Sequence, residues 1–392
     1  MKIKSLLLGS AAAMMAVSTA QAADIIIPEP EVVEYVRVCD AAGTGFFYIP
    51  GTETCLRIHG YVRYDIGFGD APQTGVTDAT GNETWRKRAR ASFRVSTWAD
   101  TELGPLRTYV ETRWQRDTNT VTVVAPGAAA TPVFTGYENA GEFEINFAYI
   151  DLAGLRIGKD ESFFSTFTGY GAPTNYTFAY GPFDTNLISY TFTGGAFSAG
   201  ISLEQGNNSV TTQWTQVALD ANGDGTPDAV QFATGIGGWG IDDYVPHIVA
   251  GAGYDGGAFN IRGVIGYDTR NGAGQGGWSG KIRGDVSFDP FSAFVMLMYG
   301  ENSSAYTTWR RGAVGAETFS VLGGASFAAT EALDVNLAVQ WQEGNGVGDL
   351  WTVVGNVDYD IVPGFQFRPE IVYQNGPGAD TIGGFVRFER SF

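Results

Sequence analysis

The carboxyl-terminal residues 383–392 alternate in polarity and end on an aromatic side chain. Successive side chains of a β-strand point to opposite faces, so one face here carries Val386, Phe388, Arg390 and Phe392, and the other is polar. A largely apolar face that ends in an aromatic ring is what the closing strand of a transmembrane β-barrel requires. The last strand of a soluble sheet would show the same alternation, so the rest of the chain must decide between them.

The amino-terminal residues 1–22 have the features of a secretory signal peptide. Lys2 and Lys4 form a basic start, an apolar stretch follows, and residues 20–22 match an A-x-A cleavage site. No later window has the roughly 20 apolar residues that a membrane-spanning helix needs. An exported chain without such a helix is either soluble or a barrel that closes its own backbone hydrogen bonds.

The composition favours the barrel. The chain of 392 residues contains 54 Gly, 26 Phe, 18 Tyr and 9 Trp, but only 24 Lys and Arg together. Its formal net charge of −18 argues against a nucleic-acid partner, because phosphate backbones reward basic surfaces.

Cys39 and Cys55 are the only cysteines, and in an exported chain such a pair predicts a disulfide. No histidine cluster accompanies them, which disfavours a metal site. We assign residues 23–56 to an amino-terminal segment on the periplasmic side and residues 57–392 to a transmembrane barrel.

The alternation along the chain predicts sixteen antiparallel strands. They lie near 57–68, 85–98, 104–116, 141–152, 154–160, 185–193, 196–205, 244–254, 257–268, 278–288, 291–300, 315–327, 332–343, 350–360, 364–374 and 381–392. The gaps after even-numbered strands are short, whereas most of the others are longer, the longest being 117–140, 160–184 and 206–243. Short periplasmic turns and long external loops are typical of outer-membrane barrels.

Three stretches of sequence extend this interpretation. They are residues 34–65, which include both cysteines, the middle segment 147–162 and the ending 386–392. All three resemble the alphaproteobacterial outer-membrane general porins of the Rhizobiales, the porins of Brucella and Rhizobium relatives. The resemblance implies a trimeric, sixteen-stranded porin in the outer membrane that admits small hydrophilic solutes and ions by passive diffusion. It also implies that the third external loop folds inward and narrows the pore.

In this sequence the third external loop runs from Asp160 to Asp184 and also carries Glu161. Its many aromatic residues favour packing against the inner wall, and an ordinary surface loop is the alternative. The facing wall follows from alternation, because arginine facing lipid near the midplane costs about 2–4 kcal/mol. The residues assigned to the lumen and its constriction are Arg63, Arg86, Arg88, Arg90, Arg94, Glu111, Arg113, Asp160, Glu161 and Asp184.

These opposed charges would set a transverse field that orients dipolar solutes. The alternative is that the arginines only pair with Glu111, Glu142 and Glu144 to support the barrel.

One external segment has part of a calcium-loop pattern. Asp220, Asn222, Asp224 and Asp228 supply oxygen atoms at positions 1, 3, 5 and 9, but position 12 is Gln231 instead of glutamate. An acidic, turn-rich loop is the alternative, and we expect no other cofactor.

Catalysis has little support in the sequence. His59 and His247 are the only histidines, and no nucleophile accompanies either of them. We therefore predict a channel and not an enzyme. The alternatives are a substrate-specific, sugar-type channel, or a surface adhesin or receptor barrel built on the long loops. A sugar channel would need aromatic side chains along the lumen, whereas most strand aromatics face lipid by alternation.

Overall fold

All sixteen predicted strands form, and they close into one antiparallel barrel. The computed structural model describes residues 36–77, 83–124, 132–213, 233–272, 275–301, 303–378 and 380–392. The barrel strands are β1 Cys55–Gly69, β2 Arg86–Ala99, β3 Leu106–Val124, β4 Pro132–Leu152, β5 Leu155–Glu161, β6 Asp184–Gly194, β7 Phe197–Glu204, β8 His247–Asp255, β9 Phe259–Asp268, β10 Gly277–Phe288, β11 Phe291–Glu301, β12 Glu317–Thr330, β13 Leu333–Gln342, β14 Leu350–Val362, β15 Phe365–Asn375 and β16 Thr381–Ser391. Each pairs with its neighbours in sequence, and β16 pairs with β1.

The carboxyl terminus completes this closure. Phe392 and Gly60 exchange two backbone hydrogen bonds of 2.9 and 3.0 Å. The Phe392 ring stays 60% exposed on the outside of the barrel, as lipid-facing aromatic side chains do.

The remaining elements are short. Three small ladders accompany the barrel. Phe47–Tyr48 pairs with the start of β1, Val76–Thr77 pairs with Glu83–Thr84, and Asn208–Gln213 pairs with Ala233–Gly238. A 3₁₀ turn covers Asp40–Ala42, and one helix, α1, covers Phe163–Thr166. Within the described residues, no helix is long and apolar enough to cross a membrane.

The connections differ at the two ends of the barrel. Those after even-numbered strands are tight, as at Ala153-Gly154, where φ values of 51° and 95° give the left-handed backbone that a two-residue hairpin turn needs. Most of those after odd-numbered strands are longer, for example 162–183 and 205–246. We refer to these as the short-turn end and the long-loop end.

The prediction of a long loop over 117–140 is wrong. The ladder between β3 and β4 continues from Asp117 opposite Ala140 to Val124 opposite Pro132, which leaves only 125–131 as a connection. Pairing with β2 stops at Asp117, so the outer part is a two-stranded hairpin. Because a hairpin beyond the membrane needs no lipid-facing apolar row, the alternation that identified the other strands is missing there. Its run of threonine and valine nevertheless favours strand.

The two faces of the barrel follow the predicted alternation. Large apolar side chains such as Ile265, Leu337 and Ile371 are about half exposed on the outer face, as lipid-facing rows are. One part of the inner face differs from expectation, because it is apolar and buried. This part comprises Val249, Val264, Met296, Met298, Leu322, Ala338, Val354 and Val372, and it belongs to one cluster with Phe163, Phe164, Tyr176, Phe178 and Tyr180.

The amino-terminal segment is fixed to the first strand. Cys39 and Cys55 form the predicted disulfide, and both are fully buried. Cys55 is the first residue of β1, at the short-turn end. The signal peptide at 1–22 lies outside the described residues, and the assignment of 23–56 to the periplasmic side stays a prediction.

Candidate functional site

A basic wall is formed by the inner faces of β1, β2, β3 and β16. Its first centre is Asp65, a buried carboxylate that three guanidinium groups surround. Arg88 and Arg387 each place a nitrogen 2.6 Å from an Asp65 oxygen, and Arg63 lies at 3.7 Å. The centre carries three cations against one anion, although Glu389 lies 3.9 Å from Arg63.

Glu111 is the second centre of the basic wall. It is fully buried and accepts hydrogen bonds from Arg94 at 2.9 Å, Arg113 at 2.7 Å and the Tyr109 hydroxyl at 3.0 Å. Antiparallel register explains this convergence, because Arg94 stands directly opposite Glu111 and Arg113 is the next residue on the same face of β3.

The remaining predicted arginines of β2 also have partners. Arg86 makes two hydrogen bonds to Asp117, of 2.6 and 3.1 Å. Arg90 donates to Gln115 at 2.8 Å, and Gln115 donates to Glu142 at 2.5 Å. Of the three carboxylates that the sequence offered as partners, Glu111 binds Arg94 and Arg113 directly, and Glu142 is linked to Arg90 through Gln115. The role of these arginines in the pore lining stays a prediction.

Residues 162–183, loop 3, begin with a buried anchor. Ser162 caps α1, its oxygen accepting from the Phe164 amide at 3.2 Å. The buried Glu204 carboxylate accepts from the Ser162 hydroxyl at 2.8 Å and from the Phe163 amide at 2.7 Å. It also accepts from Tyr306 at 3.0 Å. Burial, and then the Glu204 charge, raise the pKa of Tyr306 well above its ordinary value, so this phenol keeps the proton that it donates.

The middle of loop 3 has a second anchor. The buried Glu370 carboxylate accepts from the backbone amides of Asn175 and Tyr176, both at 2.7 Å, and from the Asn356 amide at 3.0 Å. Gln340 accepts from the Ala179 amide and donates to its carbonyl.

Further contacts extend the attachment. The Lys281 ammonium donates to the Tyr180 carbonyl at 2.6 Å, and Arg283 donates to the Tyr170 carbonyl. We call the inner faces of β7 to β15, which carry these contacts, both anchors and the apolar cluster, the covered wall.

The three acidic residues assigned to the constriction have different surroundings. Asp160 is buried and pairs with Arg156 at 2.7 Å. Glu161 has one carboxylate oxygen that is buried without a hydrogen-bond partner, and it stands directly opposite Asp184 in the ladder between β5 and β6. Asp184 pairs with Lys159 at 2.9 Å, and by alternation it shares its strand face with the half-exposed Ile188.

Several important residues were not assigned to the site from sequence. Asp65 and Arg387 lie on the inward faces of their strands, beside Arg63 and Glu389, so the alternation in sequence predicts their position. Glu204 and Glu370 gave no comparable signal, because a single carboxylate at an inward position looks the same whether water or a loop covers it.

The proposed calcium ligands, Asp220, Asn222, Asp224 and Asp228, lie outside the described residues. Within the described ranges, no group of three or more His, Cys, Asp or Glu side chains is arranged to hold a metal ion. Calcium binding by this segment therefore stays a prediction.

A family model described as a porin subfamily matches residues 24–387. The chain belongs to the porin family. Porin Omp2b of Brucella neotomae is 44% identical to it over 408 residues, which cover 100% of both chains. The porin is thus a relative of the alphaproteobacterial general porins, as the three sequence stretches indicated.

Solved structures agree on the fold. The outer membrane channel DcaP of Acinetobacter baumannii superposes with a TM-score of 0.59 at 14% identity, over 88% of this chain and 99% of that one. An anion-selective porin from Comamonas acidovorans gives 0.56 at 12% identity, over 87% and 100%. The porin therefore spans the bacterial outer membrane many times as a sixteen-stranded barrel, and it forms a channel for passive diffusion of small hydrophilic solutes.

Proposed function

We propose that the narrowest part of this diffusion channel lies between loop 3 and the basic wall. The observation that carries the proposal is the asymmetric attachment of loop 3. Its hydrogen bonds to side chains of Lys281, Gln340, Asn356 and Glu370 reach the covered wall, and on the other side Thr177 bonds Gln73 in the connection between β1 and β2, at 3.1 Å. In this proposal the arginines of the basic wall border the path that solutes take.

The charges on the two sides of this gap would create a transverse field. Glu161, the last residue of β5 before loop 3, would act on Arg113 and the other arginines of the basic wall. Charges are screened over about 8–10 Å at physiological salt, so fixed charges act on every ion that passes through a gap of comparable width. Such a field orients dipolar solutes and disfavours apolar ones that cannot replace their water.

The selectivity of single channels in a salt gradient tests this proposal. Changing Arg88 and Arg90 to glutamine should shift the reversal potential toward cation preference. Changing Asp160 and Glu161 to their amides should shift it the opposite way. If both double variants keep the selectivity and conductance of the wild type, the charges only support the wall and the proposal is wrong.

The external acidic residues Asp220, Asp224 and Asp228 provide the matched control. The triple change to asparagine removes three charges, more than either double variant, but at positions in a long external connection. We expect it to alter the reversal potential much less. An effect equal to that of the Asp160 and Glu161 variant would show that total charge, and not the constriction, sets selectivity.

We also propose that the porin assembles as a homotrimer through the outer face of β1 and β2. Ala89 and Ala91 are successive outward residues of β2, Gly60 is an outward residue of β1 that pairs with Phe93, and these small side chains would let a second barrel approach closely. Replacing Ala89 and Ala91 with leucine should convert the trimer to monomer on a native gel. A trimer that survives these changes, with intact barrels, would place the contact elsewhere.

A further inference from the structure

An aromatic strip lies on the lumenal face of the wall, toward the short-turn end. It crosses β1, β3 and β4 through His59, Tyr109 and Tyr149. Tyr109 and Tyr149 are stacked with ring centres 5.3 Å apart, and His59 lies 6.4 Å from Tyr109. The Arg156 guanidinium caps the far side of Tyr149 at 4.2 Å. The expectation that strand aromatics mostly face lipid therefore has an exception here.

The register of the sheet makes this strip continuous. Tyr109 stands directly opposite Tyr149 on one side and opposite Ser96 on the other. Ser96 lies 3.4 Å from the His59 ring nitrogen. Tyr109 and Tyr149 are only partly buried, whereas Tyr61, the other lumenal tyrosine of β1, is buried between Arg63 and Arg94. The Tyr109 region is thus the part of the strip that a solute can contact.

Two arginines beside this strip lack an anionic partner. Arg57 and Arg107 lie two residues before His59 and Tyr109, and therefore on the same lumenal face. In the part of the chain that the structure describes, neither forms an ion pair, unlike the arginines around Asp65 and Glu111. Asp151 stands opposite Arg107 in the ladder, but Arg156 binds it instead, at 3.2 Å.

We propose that this strip is a weak binding site for aromatic carboxylates. The solute ring would lie against Tyr109 and His59, and its carboxylate would accept hydrogen bonds from Arg107 and Arg57. Aromatic side chains offer ring faces that stack with planar solutes, and guanidinium groups match the fork of a carboxylate. A weak site at the lumen mouth suits a channel, since solutes must bind briefly and then leave.

Benzoate is the probe for this proposal, with cyclohexanecarboxylate and acetate as anions of equal charge. Single channels of the purified porin are recorded in planar bilayers while each anion is added to either side. We expect benzoate to reduce the chloride current saturably, with cyclohexanecarboxylate and acetate clearly weaker. Equal reduction by all three anions would mean that only charge attracts them, and equal reduction by benzoate and cyclohexanecarboxylate would mean that the rings do not stack. Either result overturns the proposal.

Two substitutions locate the site. Tyr109→Leu should raise the half-blocking benzoate concentration about fivefold, as the loss of an aromatic pair does. Arg107→Gln should raise it about tenfold, as the loss of a hydrogen bond to a charged group does. Tyr109→Phe keeps the ring and should retain block within about twofold. An unchanged benzoate response in both Tyr109→Leu and Arg107→Gln excludes this strip as the site.

Matched controls separate the site from general effects. Arg262→Gln removes a lumenal arginine from β9, a strand of the covered wall. The Arg262 guanidinium lies 3.8 Å from the Asp255 carboxylate. Tyr359→Leu removes a tyrosine from the lipid face of β14. Both should leave benzoate block unchanged, and a loss equal to that of Arg107→Gln would point to general charge and contradict the proposal. If Tyr109→Leu fails to form channels, His59→Leu supplies the same test, because it removes the other ring that the solute would contact.

Discussion

The basic wall and the covered wall have the same alternation in sequence, but their inward carboxylates have different partners. On the basic wall, carboxylates such as Asp65 and Glu111 are buried by arginines from neighbouring strands. On the covered wall, Glu204 and Glu370 are buried by the backbone of loop 3. An inward carboxylate therefore stabilises either the pore lining or the position of a loop, and its partners decide which.

The energetic logic of the two walls differs as well. Burial of a large apolar side chain contributes about 1.5–3 kcal/mol, so Met298, Leu322 and Phe164 favour the packed position of loop 3. The basic wall has no such cover, and its guanidinium groups keep part of their hydration. We expect the covered wall to control stability and the basic wall to control which ions pass.

The largest effect should follow Glu370→Ala, which removes one anchor of loop 3. Each buried amide left without an acceptor costs about 1–3 kcal/mol, and Asn175 and Tyr176 both lose theirs. We expect a loss of about 3–5 kcal/mol in unfolding free energy, together with a larger and noisier single-channel conductance. Denaturant titration and bilayer recording measure the two effects.

The controls for this variant lie on both walls. Glu370→Gln keeps one acceptor oxygen and should lose less stability. Glu389→Ala removes a partly exposed carboxylate from the basic wall and should leave conductance noise unchanged. If Glu370→Ala has the quiet conductance of the wild type, loop 3 does not depend on this anchor.

A smaller effect is expected from Asp65→Asn on the basic wall. The change leaves Arg63, Arg88 and Arg387 without their shared carboxylate. Asparagine keeps one acceptor oxygen, and Arg63 and Arg88 keep 13% and 17% of their side-chain area exposed. We therefore expect a loss of about 2 kcal/mol in stability, less than for a fully buried pair. Selectivity should shift toward anions, and a reversal-potential measurement without such a shift would show that this centre does not face the ion path.

The sequence predicted the strands well because lipid imposes a strict period of two on the outer face. It also predicted the inward arginines, since arginine in lipid is costly. It did not predict the covered wall, because inward positions such as Leu322 and Val354 are permitted there only by a loop distant in sequence. Alternation predicts which face of the sheet a side chain occupies, but not which other segment of the chain covers that face.

The hairpin error has a related cause. Residues 118–124 and 132–139 continue the ladder between β3 and β4 beyond the last pairing with β2, so no barrel wall imposes an alternating apolar row on them. The acidic residues Asp160, Glu161 and Asp184, which flank loop 3, were identified from the composition of this stretch. Their unequal surroundings depended on partners such as Lys159 and Arg156, which only the fold brings beside them.

Lys281→Met should have a small effect, although it removes a charge from the inner face. Lys281 is buried under loop 3, where its ammonium meets the Tyr180 carbonyl and lies 4.7 Å from the Phe164 ring. Methionine keeps the volume, and replacing a buried charge with an apolar group is often nearly neutral, within about 1 kcal/mol. We expect unchanged selectivity, whereas Arg88→Met on the basic wall should alter it. A clear selectivity change for Lys281→Met would mean that the covered wall is open to ions.

The smallest effect should separate Glu161 from Asp184, two carboxylates at the ends of loop 3. Both changes to the amide remove one negative charge, at positions that stand directly opposite each other in the ladder between β5 and β6. Glu161 has a carboxylate oxygen without a hydrogen-bond partner, whereas Asp184 is neutralised by Lys159 at 2.9 Å. Because screening limits each charge to about 8–10 Å, Glu161→Gln should change the ratio of anion to cation permeability about twofold. Asp184→Asn should change it by less than about 1.2-fold, since its field reaches the ion path weakly. Reversal potentials in matched salt gradients measure both ratios. Equal shifts would mean that Asp184 also borders the ion path. The ion path would then not be confined to the side of loop 3 that faces the basic wall.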